Sequence, residues 1–198
     1  MRIIKLNDEN FLSAIDEAKT VLSDGGVVLV PTETVYGLVC QYQNDEAREK
    51  IYQLKKRDKN KLFAAFIRDY RKLAEYGLVI TPLIDELVAN YCPGKITIIG
   101  SCRDGKTLGF RVPDHEFILK LLEVLDFPLA STSANVSGEP NIVNIEEAIA
   151  TLNGEVDLVI DAGSISRDAL ASTVVDATSG EKVKILRQGG LIIDTKFL

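Results

Sequence analysis

The chain has 198 residues, with 23 basic against 29 acidic side chains, a net charge of −6 and an isoelectric point of about 4.9. Its 46% apolar and 26% charged residues are those of a globular protein long enough to bury roughly 70% of its unfolded surface, which excludes disorder, collagen and coiled coil. The acidic total excludes wholesale electrostatic wrapping of nucleic acid but leaves room for a local basic patch.

Apolar runs of strand length alternate with segments of 3.6-residue periodicity, the pattern of an α/β protein. The first helix has Asn7 or Asp8 as its cap, Phe11, Leu12, Ile15, Ala18, Val21 and Leu22 as its apolar face, and Gly25-Gly26 at its end. A buried strand, Val27 to Val30, follows. Asn44 opens a second helix, with Asp45 and Glu46 in the first turn, Ala47, Ile51 and Leu54 on one face, and Lys55, Lys56 and Arg57 at the end, where they complement the helix dipole. Strands are expected at Leu62 to Ile67, Ile96 to Ile99 and Leu108 to Val112, and helices at Pro82 to Tyr91 after the cap Thr81 and at Glu116 to Leu125. The last third adds a helix with Asn144 and Glu147 at capping-box spacing, then strands at Val156 to Ile160, Thr173 to Val175 and Val183 to Leu186. The cysteines Cys40, Cys92 and Cys102 include no C-x-x-C pair, which suggests neither a disulfide framework nor a zinc site and fits a reducing cytoplasm. The longest apolar runs fall far below the roughly 18 residues of a membrane span, so neither secretion nor membrane insertion is expected.

Four polar stretches abut strands: 31–37 (PTETVYG), 55–61 (KKRDKNK), 130–141 (ASTSANVSGEPN) and 163–173 (GSISRDALAST). Loops at strand ends of an α/β sheet are where ligands bind. The common phosphate-loop, dinucleotide, zinc-protease and serine-hydrolase motifs are missing. The single histidine, His115, sits between two acids at a helix start and reads as a solvated residue without a role. Between Arg48 and Lys61, seven basic residues face two acidic ones. That run is either a solvated helix end or a phosphate clamp, since Arg donates in a fixed fork while Lys supplies compact charge. Arg111 and Arg187, each at the end of an apolar run, could converge on the same place, and arginine there needs an anionic partner if buried. Ser131 to Asn135 reads equally as a polar turn or as a loop that cradles phosphate or carboxylate oxygens. Thr32, Thr34, Ser172 and Thr173 carry the same double reading.

Taken together and in order, these segments resemble the YrdC-like family of threonylcarbamoyl-AMP synthases. The matching stretches are PTETVYGL at 31–38, LKKR at 54–57, Pro93-Gly94 followed by Thr97, FRVPDH at 110–115, PLASTSANVSG at 128–138, and AST at 171–173 followed by ILRQG at 185–189. The resemblance implies a twisted, mixed β-sheet with flanking helices around a concave cleft, and one YrdC-like domain over residues 1–198 in the short form that lacks a further C-terminal domain. It also implies a reaction: L-threonine, bicarbonate and ATP give threonylcarbamoyl-AMP and pyrophosphate. The product then passes to a transferase that modifies tRNA, and Mg²⁺ enters with ATP through phosphates and water.

Carried over by motif, Thr34, Phe66, Arg111, Ser131 and Ser172 are expected around threonine, with Arg111 on its carboxylate. Arg57, Lys61, Thr107, Ser133, Asn135, Asn141 and Arg187 are expected around ATP. Lys55 and Arg57 are the residues expected to neutralise charge at the carbamate and the α-phosphate. The chain departs from the family at Asp58 and Lys95, where proline is usual or frequent, and at Phe66, where several members carry histidine. Two other readings compete with this one. The first is a tRNA- or double-stranded-RNA-binding protein of the same fold that uses the basic run. The second is a carbamoyl-adenylate former like the similar domain of hydrogenase maturation proteins.

Overall fold

Helix starts in this protein are set by side chains that accept amide protons the helix cannot satisfy itself. In the computed structural model, which describes residues 1–135, 142, 144–166 and 169–198, Asn44 accepts from the Ala47 amide at 2.9 Å and opens α2 (Asp45–Lys55). Thr81 accepts from Ile84 and, with Pro82 in the first turn, opens α3 (Pro82–Tyr91). Asn144 accepts from Glu147 at 2.8 Å and opens α5 (Ile145–Thr151). The first helix, α1 (Phe11–Ser23), departs from expectation, because Asn10 rather than Asn7 or Asp8 occupies its cap position. Asn7 instead accepts from the amides of Glu9 and Asn10, each at 3.0 Å, in a turn that precedes the helix. Leu12, expected on the apolar face of α1, is 65% exposed, and Ala14 is buried there. The remaining helix is α4 (Glu116–Val124).

Ten strands form one mixed sheet: β1 (Arg2–Lys5), β2 (Val28–Val30), β3 (Gly37–Gln41), β4 (Ala64–Phe66), β5 (Ile96–Ser101), β6 (Thr107–Arg111), β7 (Leu129–Ser133), β8 (Leu158–Asp161), β9 (Thr173–Asp176) and β10 (Lys184–Arg187). Their order is β1-β8-β2-β3-β7-β4-β6-β5-β9-β10. This is the mixed α/β sheet expected from the sequence. The periodicity reading missed β1, β3 and β7. In particular Ser131 to Ser133 stand on a strand, not in a polar turn, because the β7 backbone pairs with β3 on one side and β4 on the other.

Strand alternation assigns each face of the sheet. Leu29 and Leu38 pack with Ala47, Ile51 and Ala148 of α2 and α5. Val28, Val30 and Val39 pack on the opposite side with Ile15, Leu22, Phe117 and Leu121 of α1 and α4. A third core joins Ile84 and Leu87 of α3 to Ile96, Ile98, Phe110 and Val175. In this part of the sheet the alternate residues, Thr97 and Ile99, Gly109 and Arg111, Ala64 and Phe66, and Val174, line a cleft instead.

The tightest backbone approach ties the C-terminal segment to this region. A Cβ added at Gly189 would lie 2.1 Å from the Ala171 carbonyl oxygen and 2.6 Å from the Thr173 nitrogen, and the Gly189 amide donates to Thr173 Oγ1 at 3.0 Å. Because the obstruction is backbone on both sides, Gly189→Ala is expected to destabilise the protein by about 2–3 kcal/mol. Chemical denaturation checks this, and an unchanged midpoint would show that the segment yields.

Candidate active site

The loop after β2 is organised by one hydroxyl. Thr32 Oγ1 accepts from the amides of Thr34 and Val35, each at 3.1 Å, and donates to the Val35 carbonyl at 2.6 Å. This local bonding folds PTET into a buried turn and holds the Thr34 hydroxyl against Thr32 Oγ1 at 2.9 Å. Arg111, at the end of β6, then donates through Nη1 to Thr34 Oγ1 at 3.2 Å, through Nε to the Gly94 carbonyl at 3.1 Å, and through Nη2 to Glu33 Oε1 at 2.6 Å. Parallel pairing of β4 with β6 sets Phe66 opposite Arg111, with the guanidinium 5.8 Å from the ring centre.

Thr32, Thr34, Val35, Phe66 and Arg111 share a cleft of about 360 Å³ with Arg57, Thr107, Ser131, Ser133, Asn135, Ser172 and Arg187. At its far side Arg187 donates through Nε and Nη2 to the Ser172 carbonyl at 3.1 and 2.9 Å, while Ser172 Oγ lies 2.9 Å from Thr97 Oγ1. Arg57 is held by the carbonyls of Lys61 and Leu62 at 3.2 and 3.1 Å, beside the Phe63 ring. Burial lowers the pKa of both Arg57 and Arg187, and Arg111 adds to the effect at Arg187. Among the described residues the cleft wall carries three arginines, many hydroxyls and no carboxylate. Such a surface binds anions and carries no Cys or His nucleophile.

A family model described as "Telomere recombination" (Sua5, YciO and YrdC) matches residues 20–189. The chain belongs to the Sua5/YciO/YrdC family. Threonylcarbamoyl-AMP synthase of Mus musculus is 33% identical over 196 residues, covering 92% of this chain and 69% of that protein. The crystal structure of E. coli YciO has a TM-score of 0.83 at 26% identity, covering 100% of this chain and 97% of that one. P. abyssi Sua5 complexed with L-threonine has a TM-score of 0.82 at 28% identity, covering 96% of this chain and 57% of that chain.

Within this Sua5/YciO/YrdC fold, ten of the thirteen residues singled out from the sequence line the one cleft: Thr34, Arg57, Phe66, Thr107, Arg111, Ser131, Ser133, Asn135, Ser172 and Arg187. Lys61 is exposed and does not line it, and Asn141 lies outside the described residues. Lys55 does not line it either. It is 1% exposed, and its amine donates to Thr132 Oγ1 at 3.1 Å and to the Ser133 carbonyl, from behind the wall. Sequence reasoning passed over Ile99, Gly109 and Val174, whose period-two spacing on strands already known to be half-buried marks them as facing the cleft.

Two expectations are corrected. His115 is not a solvated residue: its Nδ1 is buried without a hydrogen-bond partner, and burial lowers its pKa against the opposing charges of Glu33, Glu116 and Asp114. The basic run is neither a uniform solvated helix end nor one continuous face for nucleic acid. Arg48, Lys50 and Lys59 are engaged by Asp45, Asp157 and Glu49, Lys55 points inward, and Arg57 turns into the cleft.

Burial, helped by the charges of Arg57 and Lys61, pulls the Lys55 amine down to about 7, against about 10.4 in an unfolded chain. Between these values the unfolded chain holds a proton that the folded one has released, so the Lys55 contribution to stability rises with pH from about 7 to about 10. The unfolding free energy of the wild type relative to Lys55→Met is therefore expected to rise over that range, by at most about 1.4 kcal/mol per pH unit. Denaturant titrations of both proteins check it, and a pH-independent difference would show that the buried amine keeps its proton.

Proposed function

We propose that this protein is an L-threonylcarbamoyladenylate synthase, making threonylcarbamoyl-AMP and pyrophosphate from L-threonine, bicarbonate and ATP. The observation that carries the reading is a single cleft in which three arginines and the hydroxyls of Thr34, Ser131 and Ser172 converge. The cleft belongs to a chain whose relatives include threonylcarbamoyl-AMP synthases, with a Sua5 structure that contains L-threonine.

The chemistry suits this wall. The threonine amine first attacks the bicarbonate carbon, so that the C–N bond of a carbamate forms while a C–O bond breaks and the hydroxyl leaves with an amine proton as water. A carbamate oxygen then attacks the α-phosphorus of ATP, and the bond to the β-phosphate bridging oxygen breaks to release pyrophosphate. Neither step requires a covalent intermediate on the protein. The second requires two anions, the carbamate and the triphosphate, to be held together while charge shifts onto the leaving pyrophosphate, which is the task of fixed cations and hydroxyls in a partly dry site. We assign Arg111 with Thr34, Ser131 and Ser172 to threonine, and Phe66 to the apolar wall beside it. Arg57, Lys61, Thr107, Ser133, Asn135, Asn141 and Arg187 are assigned to ATP. Lys55 acts through the Thr132 and Ser133 positions it holds and through its charge when protonated. Mg²⁺ would be carried in by the phosphates and water, where it offsets triphosphate charge. That suits a wall with no carboxylate and a chain with no group of three or more metal-ligating side chains among its described residues.

The product would feed a transferase that modifies tRNA, in the cytoplasm. Supporting that compartment, the three cysteines are unpaired.

Pyrophosphate release from ATP in bicarbonate buffer is expected to depend on L-threonine, with serine and no amino acid as controls. Absence of threonine-dependent release from folded protein that binds ATP would overturn the assignment. Arg57→Ala is expected to lower kcat/KM at least about 100-fold while leaving the melting temperature nearly unchanged, since Arg57 has no carboxylate partner among the described residues. Arg111→Ala is expected to cost stability as well as activity, because it strands the buried Glu33 carboxylate. Steady-state kinetics paired with thermal melts separates the two.

A further inference from the structure

Of the three arginines that line the cleft, Arg111 alone has a carboxylate partner among the described residues. Its side chain is 6% exposed and that of Glu33 is 11% exposed. Glu33 does not itself line the cleft. Its Oε1 accepts both from Arg111 Nη2 at 2.6 Å and from the Asp114 amide at 2.8 Å, so one oxygen ties the loop after β2 to the end of β6 and to the chain leading into α4. Its Oε2 is buried without a hydrogen-bond partner. A buried carboxylate with one unsatisfied oxygen is costly to keep, and here its bonds are made to the residue assigned to the amino acid carboxylate. In the strand order, Arg111 on β6 stands between β4, where the Lys61 and Leu62 carbonyls just ahead of the strand hold Arg57, and β10, which carries Arg187. Neither Arg57 nor Arg187 forms an ion pair with a carboxylate among the described residues, and Asp58 acts on Arg57 only from beyond ion-pair distance.

We infer that Glu33 is a positioning and specificity-determining residue: it orients Arg111 and cancels its charge, so that the middle of the cleft accepts a neutral zwitterion through directed hydrogen bonds and rejects small anions. This rests on the proposed reaction for the identity of the zwitterion, L-threonine, and not for the arrangement itself. Electrostatically the cleft is then divided. Arg57 and Arg187 keep net charge for a polyanionic triphosphate, while the Arg111–Glu33 pair offers geometry without net charge, matched to a ligand whose own charges sum to zero. Without Glu33, three like charges would face the same space, and any inorganic anion could occupy the amino acid position.

The test uses the full chain and three proteins: wild type, Glu33→Gln, which keeps size and an acceptor while removing the charge, and Glu33→Ala, which removes both. For Glu33→Gln we expect sulfate to become a competitive inhibitor against threonine, at least tenfold more potent than in the wild type. For Glu33→Ala we expect the KM for threonine to rise at least tenfold, with a smaller change in the KM for ATP. A residue needed only for folding would lower kcat and raise both KM values together, without new sulfate competition. Independently of turnover, the Arg111 Nε–H resonance, assigned by its loss in Arg111→Lys, should be protected from solvent exchange in the wild type and in Glu33→Gln. It should lose protection in Glu33→Ala. Unaltered sulfate sensitivity in Glu33→Gln overturns the charge-cancelling role, and if Glu33→Ala does not fold, that variant alone decides it. If the wild type proves inactive, the proposed reaction fails. The inference is then decided by sulfate titration of the wild type and Glu33→Gln and by the exchange of the Arg111 resonance in Glu33→Ala: equal sulfate affinity in the first pair, or wild-type protection in Glu33→Ala, overturns it.

Discussion

Arginine and lysine held in a half-buried concave wall must be hydrogen-bonded by the protein until an anion arrives, and this requirement shapes the rest of the site. A desolvated cation without partners costs more than one side chain's packing can return. The protein meets the cost in a different way at each position. Arg187 lies along the Ser172 carbonyl, Arg57 along the carbonyls of Lys61 and Leu62, and Lys55 gives up part of its hold on the proton. Only Arg111, among the described residues of the cleft wall, is given a carboxylate. Backbone carbonyls keep a cation in place without cancelling it, so Arg187 and Arg57 remain able to attract phosphate.

The sheet makes this arrangement rigid. Helices α1 and α4 cover one face of the β8-β2-β3-β7 half, and α2 and α5 the other. Across β4, β6, β5 and β9 the helix layer containing α3 covers one face only. The uncovered face therefore presents every second residue, and parallel and antiparallel registers decide which of them are neighbours: Phe66 beside Arg111, Ala64 beside Ser131, Thr97 beside Val174. Sites built on strands hold their geometry better than sites on loops. That suits a reaction whose demands are positioning and charge neutralisation, not a strong nucleophile.

Most of the fold was legible in the chain itself. Asn44, Thr81 and Asn144 announce their helices because capping is a local bond between a side chain and an amide three residues on. The apolar runs announce β2, β5 and β6 for the same kind of local reason. The missed strands share a different cause. β7 ends in Ser131, Thr132 and Ser133, which line the cleft, and β3 is a five-residue run between polar segments, so the pairing of both is dictated by neighbours far along the chain and not by their own pattern. The first helix shows the limit of cap reading: Asn7 does bind amides, but those of a turn ahead of the helix.

The site divides in the same way. The sequence by itself determined which residue types were available to bind an anion, the loops that carry them, and, by resemblance of ordered motifs, the family. It could not decide how charge is distributed among them, because that depends on which side chains meet across separate elements. Lys55 and Arg57 stand two residues apart at the end of one helix, yet one is sealed behind β7 and the other lines the cleft. Glu33, unremarked in a turn of threonines, becomes the counter-charge of an arginine 78 residues away. Spacing along a chain reports local geometry, whereas burial and ion pairing are settled by tertiary packing, where desolvation makes a partner obligatory.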